Sequence, residues 1–191
     1  TFNNRNQNGG RTGAGRYTLS RTDQFTIQFR NNQTDGFCSA GGVRSTVTMR
    51  LQTTGAGYID FAYRLLPESY LVNFDIRAVG MQNFFPAAQK TVNIDWSQLA
   101  RQQEKGFDFE QRYTSLTYKP ADDGSDYLSE MKDDKESFEE PMQWIAFKNQ
   151  FFSNVLIANQ NFDDVTLESK LQKEGSGYMK DYNAEMTTFF D

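Results

Sequence analysis

Alternation of apolar and polar residues with a period of two runs along most of the chain, and it limits the fold more than any other feature. Phe25, Ile27 and Phe29 alternate with Thr26, Gln28 and Arg30. Val43, Ser45, Val47, Met49 and Leu51 alternate with Arg44, Thr46, Thr48 and Arg50. Gly55-Ala56-Gly57 then turns the chain into Ile59, Phe61, Tyr63 and Leu65, set against Asp60, Ala62 and Arg64. After a turn at Pro67-Glu68-Ser69, Tyr70, Val72, Phe74 and Ile76 face one way while Asn73, Asp75 and Arg77 face the other. Successive side chains of a strand point to opposite faces. The pattern therefore predicts four consecutive strands with one dry and one wet face, as in antiparallel sheets packed on one side.

Further strands are expected at residues 91–96, with Val92, Ile94 and Trp96 inward, and at 111–119. Residues 142–149 and 151–158 are apolar on both faces and read as central strands covered on both sides. Val165, Leu167, Ser169 and Leu171 alternate again, as do residues 178–190, with Tyr178, Tyr182, Ala184 and Met186 on one face. Residues 97–105 make the best helix, capped at Ser97 and stopped by Gly106. Aromatic residues are 15% of the chain, with 17 Phe and 9 Tyr, while hydrophobic residues reach only 37%. Aromatics must therefore supply much of the core, and flat side chains suit a pleated surface. At 191 residues, a single all-β domain is expected, an antiparallel β-sandwich with one or two short helices. Trp144, Phe147, Phe151 and Phe152 form the densest aromatic cluster; they read as a core strand pair, with a stacking platform for ligands as the alternative.

Two counts exclude much of enzymology. There is no histidine and one cysteine, Cys38, so a Ser-His-Asp triad, a Cys-His pair and His-ligated zinc are all impossible. Cys38 lies in Gly36-Phe37-Cys38-Ser39-Ala40-Gly41-Gly42 with nothing to activate it and reads as inert. The glycine-rich Gly10-Arg11-Thr12-Gly13-Ala14-Gly15 lacks the Gly-Lys-Ser/Thr ending of a phosphate loop and precedes a strand. Arg5, Arg11, Arg16, Arg21 and Arg30 are scattered and come without any nucleic-acid signature, so a solvated face is expected. The sequon Asn32-Gln33-Thr34 matters only in a host that glycosylates it.

The net charge of −5 is local. Residues 120–141 hold nine acids and two lysines, and read as a solvated loop kept extended by repulsion, with a cation site or a basic partner as the sharper alternative. Asp122-Asp123-Gly124-Ser125-Asp126 lacks the spacing of an EF-hand loop. The adjacent acids Asp122-Asp123, Asp133-Asp134, Glu139-Glu140 and Asp163-Asp164 point to opposite faces when on a strand, which does not suit a glycosidase pair. No catalytic, cofactor-binding or metal-binding residue is expected, and partner-contact residues are not legible.

The stretch Trp144-Ile145-Ala146-Phe147-Lys148-Asn149-Gln150-Phe151-Phe152-Ser153-Asn154-Val155-Leu156-Ile157-Ala158 resembles a known family, in which it reads W-[IV]-A, a short gap, Q-[YF]-F and a strand. Asn93-Ile94-Asp95-Trp96-Ser97-Gln98, Arg101-Gln102, Glu104-Lys105-Gly106, Leu128-Ser129-Glu130 with Lys132-Asp133-Asp134, and Lys173-Glu174-Gly175-Ser176-Gly177-Tyr178 fit the same family. It is the large periplasmic domain of the YidC membrane-protein insertases, in its Bacteroidetes version. The similarity runs from about Val43 to the end.

The resemblance implies a β-supersandwich of the galactose-mutarotase type. It implies a non-catalytic domain on the periplasmic side of the bacterial inner membrane, part of a multi-spanning insertase and chaperone. It also implies contacts with the Sec translocon, its accessory subunits and nascent membrane proteins, without cofactor or nucleic acid. The family's membrane helices are not in this sequence, so none of its functional residues carries over. Against the family's pattern, these 191 residues are expected to be an internal part of a larger periplasmic sandwich, cut at both ends. The alternative from another class is a carbohydrate-binding or sugar-active protein on the same fold, whose mutarotase relatives use histidines that this chain lacks.

Overall fold

The structure, a computed structural model, describes residues 26–31, 45–52, 56–66, 68–82 and 90–189. In chain order the first elements are β1 (Thr26–Asn31), β2 (Ser45–Gln52), β3 (Tyr58–Leu65), β4 (Val72–Val79), β5 (Thr91–Arg101) and α1 (Phe107–Arg112). Then come β6 (Ser115–Pro120), β7 (Asp126–Tyr127), β8 (Asp134–Phe138), β9 (Met142–Lys148), β10 (Ser153–Leu171) and β11 (Tyr178–Phe189). The chain divides into two compact units, residues 34–89 and residues 1–33 with 90–191.

The larger unit is an eight-stranded sheet in the order β1-β5-β11-β10-β9-β6-β7, with β8 also paired to β10. It folds over because β10 is nineteen residues long and takes part in two ladders. Ser153–Ile157 pair with β9, whereas Asp163 onward pairs with β11. Between these segments the register shifts, and Asp164 takes a left-handed backbone, φ 49°. An extra residue of this kind bends a strand sharply and turns one ladder into the next. The two halves then face each other across one core. Trp96 of β5 stacks on Phe147 of β9 at 3.9 Å between centroids, and Phe147 stacks on Tyr182 of β11 at 5.1 Å. Leu116, Met142, Ile145, Val165, Leu167 and Met186 fill the space around these rings. This is an all-β sandwich, as the alternation predicts.

The smaller unit is the antiparallel sheet β2-β3-β4. Its register puts Val47 opposite Tyr63 and Met49 opposite Phe61 on one side of β3, with Phe74 and Ile76 opposite the same two residues on the other. All of these share one apolar face. The opposite face carries Arg50–Asp60 at 2.6 Å and Arg64–Asp75 at 2.7 Å. Gly57 and Gly80 meet where β3 begins and β4 ends. A Cβ on Gly57 would lie 2.6 Å from the Gly80 carbonyl oxygen, and Gly80 itself has φ +66°, so this crossing requires glycine.

Five expectations need correction. First, β1 does not continue into β2–β4. It pairs in parallel with β5, Thr26 opposite Asn93 through Asn31 opposite Gln98, and the long intervening chain permits a parallel crossover. Second, residues 97–101 are not helical. They extend β5, because Gln98 and Ala100 continue the inward alternation and pair with Tyr182 and Lys180, and long-range pairing overrides local helix propensity. The helix is α1, ten residues further on, with Phe107 and Glu110 as its buried side. Third, the strand expected at 111–119 starts at Ser115, after the helix. Fourth, only the middle of β9 (Ile145, Ala146, Phe147) is buried on both faces; Val155 and Ile157 of β10 are exposed. Fifth, residues 120–141 contain β7, β8 and a buried Leu128, and so are not an extended loop.

Candidate functional site

Several residues singled out in the sequence lie outside the described ones: Cys38, the glycine run 10–15, the sequon at 32–34, and Arg5, Arg11, Arg16 and Arg21. The adjacent acids are described, and they do not converge. Asp133 Oδ1 accepts the Leu171 amide at 2.8 Å, and Asp134 Oδ2 accepts the Ser129 amide at 2.8 Å. Asp164 Oδ2 accepts the Thr187 hydroxyl at 3.2 Å. Each of these carboxylates holds a loop or a strand crossing. Among the described residues, no group of three acids or thiols is placed to hold a metal ion.

The acidic segment is docked. Leu128 is buried and its amide donates to the Leu116 carbonyl at 2.9 Å. Lys119 Nζ donates to the Asp123 carbonyl, and Lys180 Nζ donates to the Ser129 carbonyl at 3.3 Å. Tyr118 donates to Glu136 Oε2 at 3.5 Å; burial, with Glu136 close by, pushes its hydroxyl up to about 12. Nine acids can be held in place because these anchors offset their repulsion.

Two buried ionisable side chains escaped the sequence reading. Glu110 is fully buried, and its carboxylate accepts the amides of Gln103 at 2.9 Å and Glu104 at 2.8 Å, tying α1 to the end of β5. Lys180 is fully buried on β11. Burial lowers its ammonium to about 8, against the opposing pull of Glu130, Asp133 and Asp134. The signal for Lys180 was present, since it falls in the same inward line as Tyr182, Ala184 and Met186. Glu110 carries no comparable signal, because its partners are backbone amides.

The aromatic cluster splits. Phe147 is core, Trp144 is half-buried opposite Ile157, and Phe151 and Phe152 stand exposed at the β9–β10 turn. Trp96 of β5, which stacks on Phe147 across the core, is the tryptophan of the core cluster in place of Trp144. A hollow of about 390 Å³ lies on the wet face of β5, β11 and β10, lined by Asp95, Ser97, Leu99, Asp181, Asn183, Glu168 and Lys170. Its lining has no aromatic ring on which a sugar could stack, and Lys170 is paired with Glu168 at 2.9 Å. No helix among the described residues is long and apolar enough to cross a membrane.

Fold and surface together define an all-β sandwich domain whose exposed features are apolar surfaces and a charged hollow, with Asp133, Asp134 and Asp164 engaged in holding the fold. The family model of the YidC periplasmic domain matches residues 7–189, and the chain belongs to that family. Among curated proteins it is similar to the membrane protein insertase YidC of Phocaeicola vulgatus, 68% identical over 147 residues. The insertases of Bacteroides fragilis and Porphyromonas gingivalis are 55% and 40% identical over 147 residues. The match covers 77% of this chain with the first two and 76% with the third, but only 24%, 24% and 23% of those proteins, so the chain spans about a quarter of their length. No solved structure matches.

Proposed function

We propose that this domain is a non-catalytic periplasmic scaffold of a membrane-protein insertase, working by contact. In this reading it lies on the periplasmic face of the inner membrane, in a polypeptide whose membrane helices carry out insertion. It holds the Sec translocon, its accessory subunits or client chains near those helices. The observation that carries the reading is the family match over residues 7–189, joined to relatives named as insertases at up to 68% identity. The side-chain chemistry is consistent with it. Proton transfer near neutral pH needs an accessible group tuned close to that pH; histidine is missing, the buried carboxylate of Glu110 is engaged by two amides, and Lys180, lowered to about 8, is fully buried with its Nζ on the Ser129 carbonyl.

The test is a deletion of the region equivalent to residues 45–189 from the whole insertase, with a short flexible linker in its place. Membrane insertion of a model client should largely persist, while co-purification of Sec subunits falls severalfold. Complete loss of insertion by a truncated protein that is still stable and membrane-inserted would show that the domain does more than hold partners. Mutarotation or hydrolysis of a sugar by the purified chain would support the sugar-active alternative instead.

A further inference from the structure

Two pairs of aromatic rings project from neighbouring loops at one end of the larger unit. The turn from β9 to β10 is closed by the Asn149 amide donating to the Phe152 carbonyl at 2.8 Å. Asn149 Nδ2 fastens it to the Arg101 carbonyl at 3.0 Å. Phe151 and Phe152 stand on this fixed tip, 63% and 60% exposed. Ser115, just after α1, pairs with Lys148, just before the turn, so the end of α1 lies alongside. There Phe109 and Tyr113 lie against each other at 5.0 Å between centroids, both more than half exposed. Arg112 and Lys148 are exposed beside the rings. We infer that this end of the domain docks on the membrane surface, the two aromatic pairs entering the lipid headgroup layer and Arg112 and Lys148 meeting lipid phosphates. The inference rests on the proposed placement at the inner membrane and names the surface that would meet it.

Charge and shape select a bilayer over a protein. The chain has 25 acids, yet none falls in residues 111–120 or 141–162, whose only charges are Arg112, Lys119 and Lys148. Asp108 is the single exposed acid of α1, since Glu110 is buried. Cations of this kind complement anionic lipid, and their long stems lie along apolar surface while the heads reach the phosphates. Aromatic rings concentrate where membrane meets water, each with an apolar body at headgroup depth. The rings also stand on two separate convex knobs. A protein partner would have to supply a hollow for each, whereas a bilayer yields to either. A second copy fits poorly, because a two-fold contact would set Arg112 and Lys148 of one chain against the same cations of the other.

The test uses the whole insertase, reconstituted in bilayers of phosphatidylethanolamine and phosphatidylglycerol. A nitroxide label is placed at Phe151→Cys or Phe109→Cys in an otherwise cysteine-free background that includes Cys38→Ser. Asp122→Cys, exposed at the opposite end of β6, is the control. Collisions of the label with oxygen, which enters lipid, are compared with collisions with a water-soluble nickel complex. The oxygen-to-nickel ratio at positions 151 and 109 should exceed that at 122 by at least about fivefold. In phosphatidylcholine alone the excess should fall by about half; an unchanged ratio would overturn the part given to Arg112 and Lys148. Frequent collisions with both reagents at 151 and 109 would place the rings in water and overturn the inference. Rare collisions with both would mean that protein covers them, and would overturn it too. Neither result bears on insertion after the deletion described above, so this contact and the scaffold reading fail separately. Phe151 and Phe109 are exposed, so the substitutions remove no core contact; if either variant fails to accumulate, Phe152→Cys is read in the same way.

Discussion

Lys180 is the residue at which burial and charge compete most directly. Its ammonium is enclosed by the core end of β11 and makes a 3.3 Å bond to the Ser129 carbonyl; Glu130, Asp133 and Asp134 compensate part of its lost hydration. The folded value of about 8 lies below the ordinary 10.5, so between those limits the unfolded chain binds more protons than the folded one. Stability therefore rises with pH across that window, and the cost of the buried charge is felt in full below about pH 8. Lys180→Met keeps the length and removes the charge, and should stabilise the chain by about 1–2 kcal/mol at pH 7. That advantage should shrink between pH 8 and 10 in denaturant titrations of the two proteins. Above pH 10 Tyr182 confuses the comparison, because burial raises its hydroxyl well above the usual value and the folded state then loses stability as pH climbs. An advantage independent of pH would mean that the ammonium reaches water. Glu110→Ala tests the opposite sign. It strands the amides of Gln103 and Glu104 next to a void, and should cost about 2–4 kcal/mol, read as a lower denaturation midpoint.

At the scale of elements, the sequence revealed strands through alternation and failed where pairing partners decide. Residues 97–101 contain good helix formers, yet they are strand because β11 lies alongside them from Arg101 to Thr91. No local pattern announces that neighbour. The parallel placement of β1 on β5 was hidden for the same reason. The bend of β10 is visible only after folding, since Asp163-Asp164 looks like any polar pair until Asp164 takes its positive φ. The candidate site was legible mainly by exclusion: missing histidine speaks directly about chemistry, whereas the exposure of a strand face depends on what covers it. The two tryptophans make the difference measurable. Trp96 is stacked on Phe147 in the core, and Trp96→Ala should cost about 3–5 kcal/mol. Trp144 is half-buried on the far side of β9, and Trp144→Ala should cost about half as much. Equal losses in chemical denaturation would return Trp144 to the core, where its reading as part of a core strand pair first put it.

For the whole molecule, stability should divide along the boundary between the two units. The larger one contains a single contiguous core running through β5, β6, β9, β10 and β11, with rings stacked at its centre. The smaller one buries one described strand side chain, Ile59, and its remaining cohesion comes from the ladder, the Gly57–Gly80 crossing and two ion pairs that are largely open to water. Exposed ion pairs contribute little, typically under about 1 kcal/mol each. Both tryptophans of the chain, Trp96 and Trp144, sit in the larger unit, so tryptophan fluorescence reports on that unit alone. Far-ultraviolet circular dichroism reports on all strands, and about a quarter of the described strand residues belong to β2–β4. Urea titration of the 191-residue chain should therefore show dichroism falling first, by a fraction of about a quarter, while fluorescence holds until a higher concentration. Two probes that part in this way mark a departure from two-state unfolding. Hydrogen exchange should agree, with the amides of β3 exchanging well before those of β10 and β11. Coincident curves would mean that the two units unfold together, and that the smaller sheet draws its stability from the larger core.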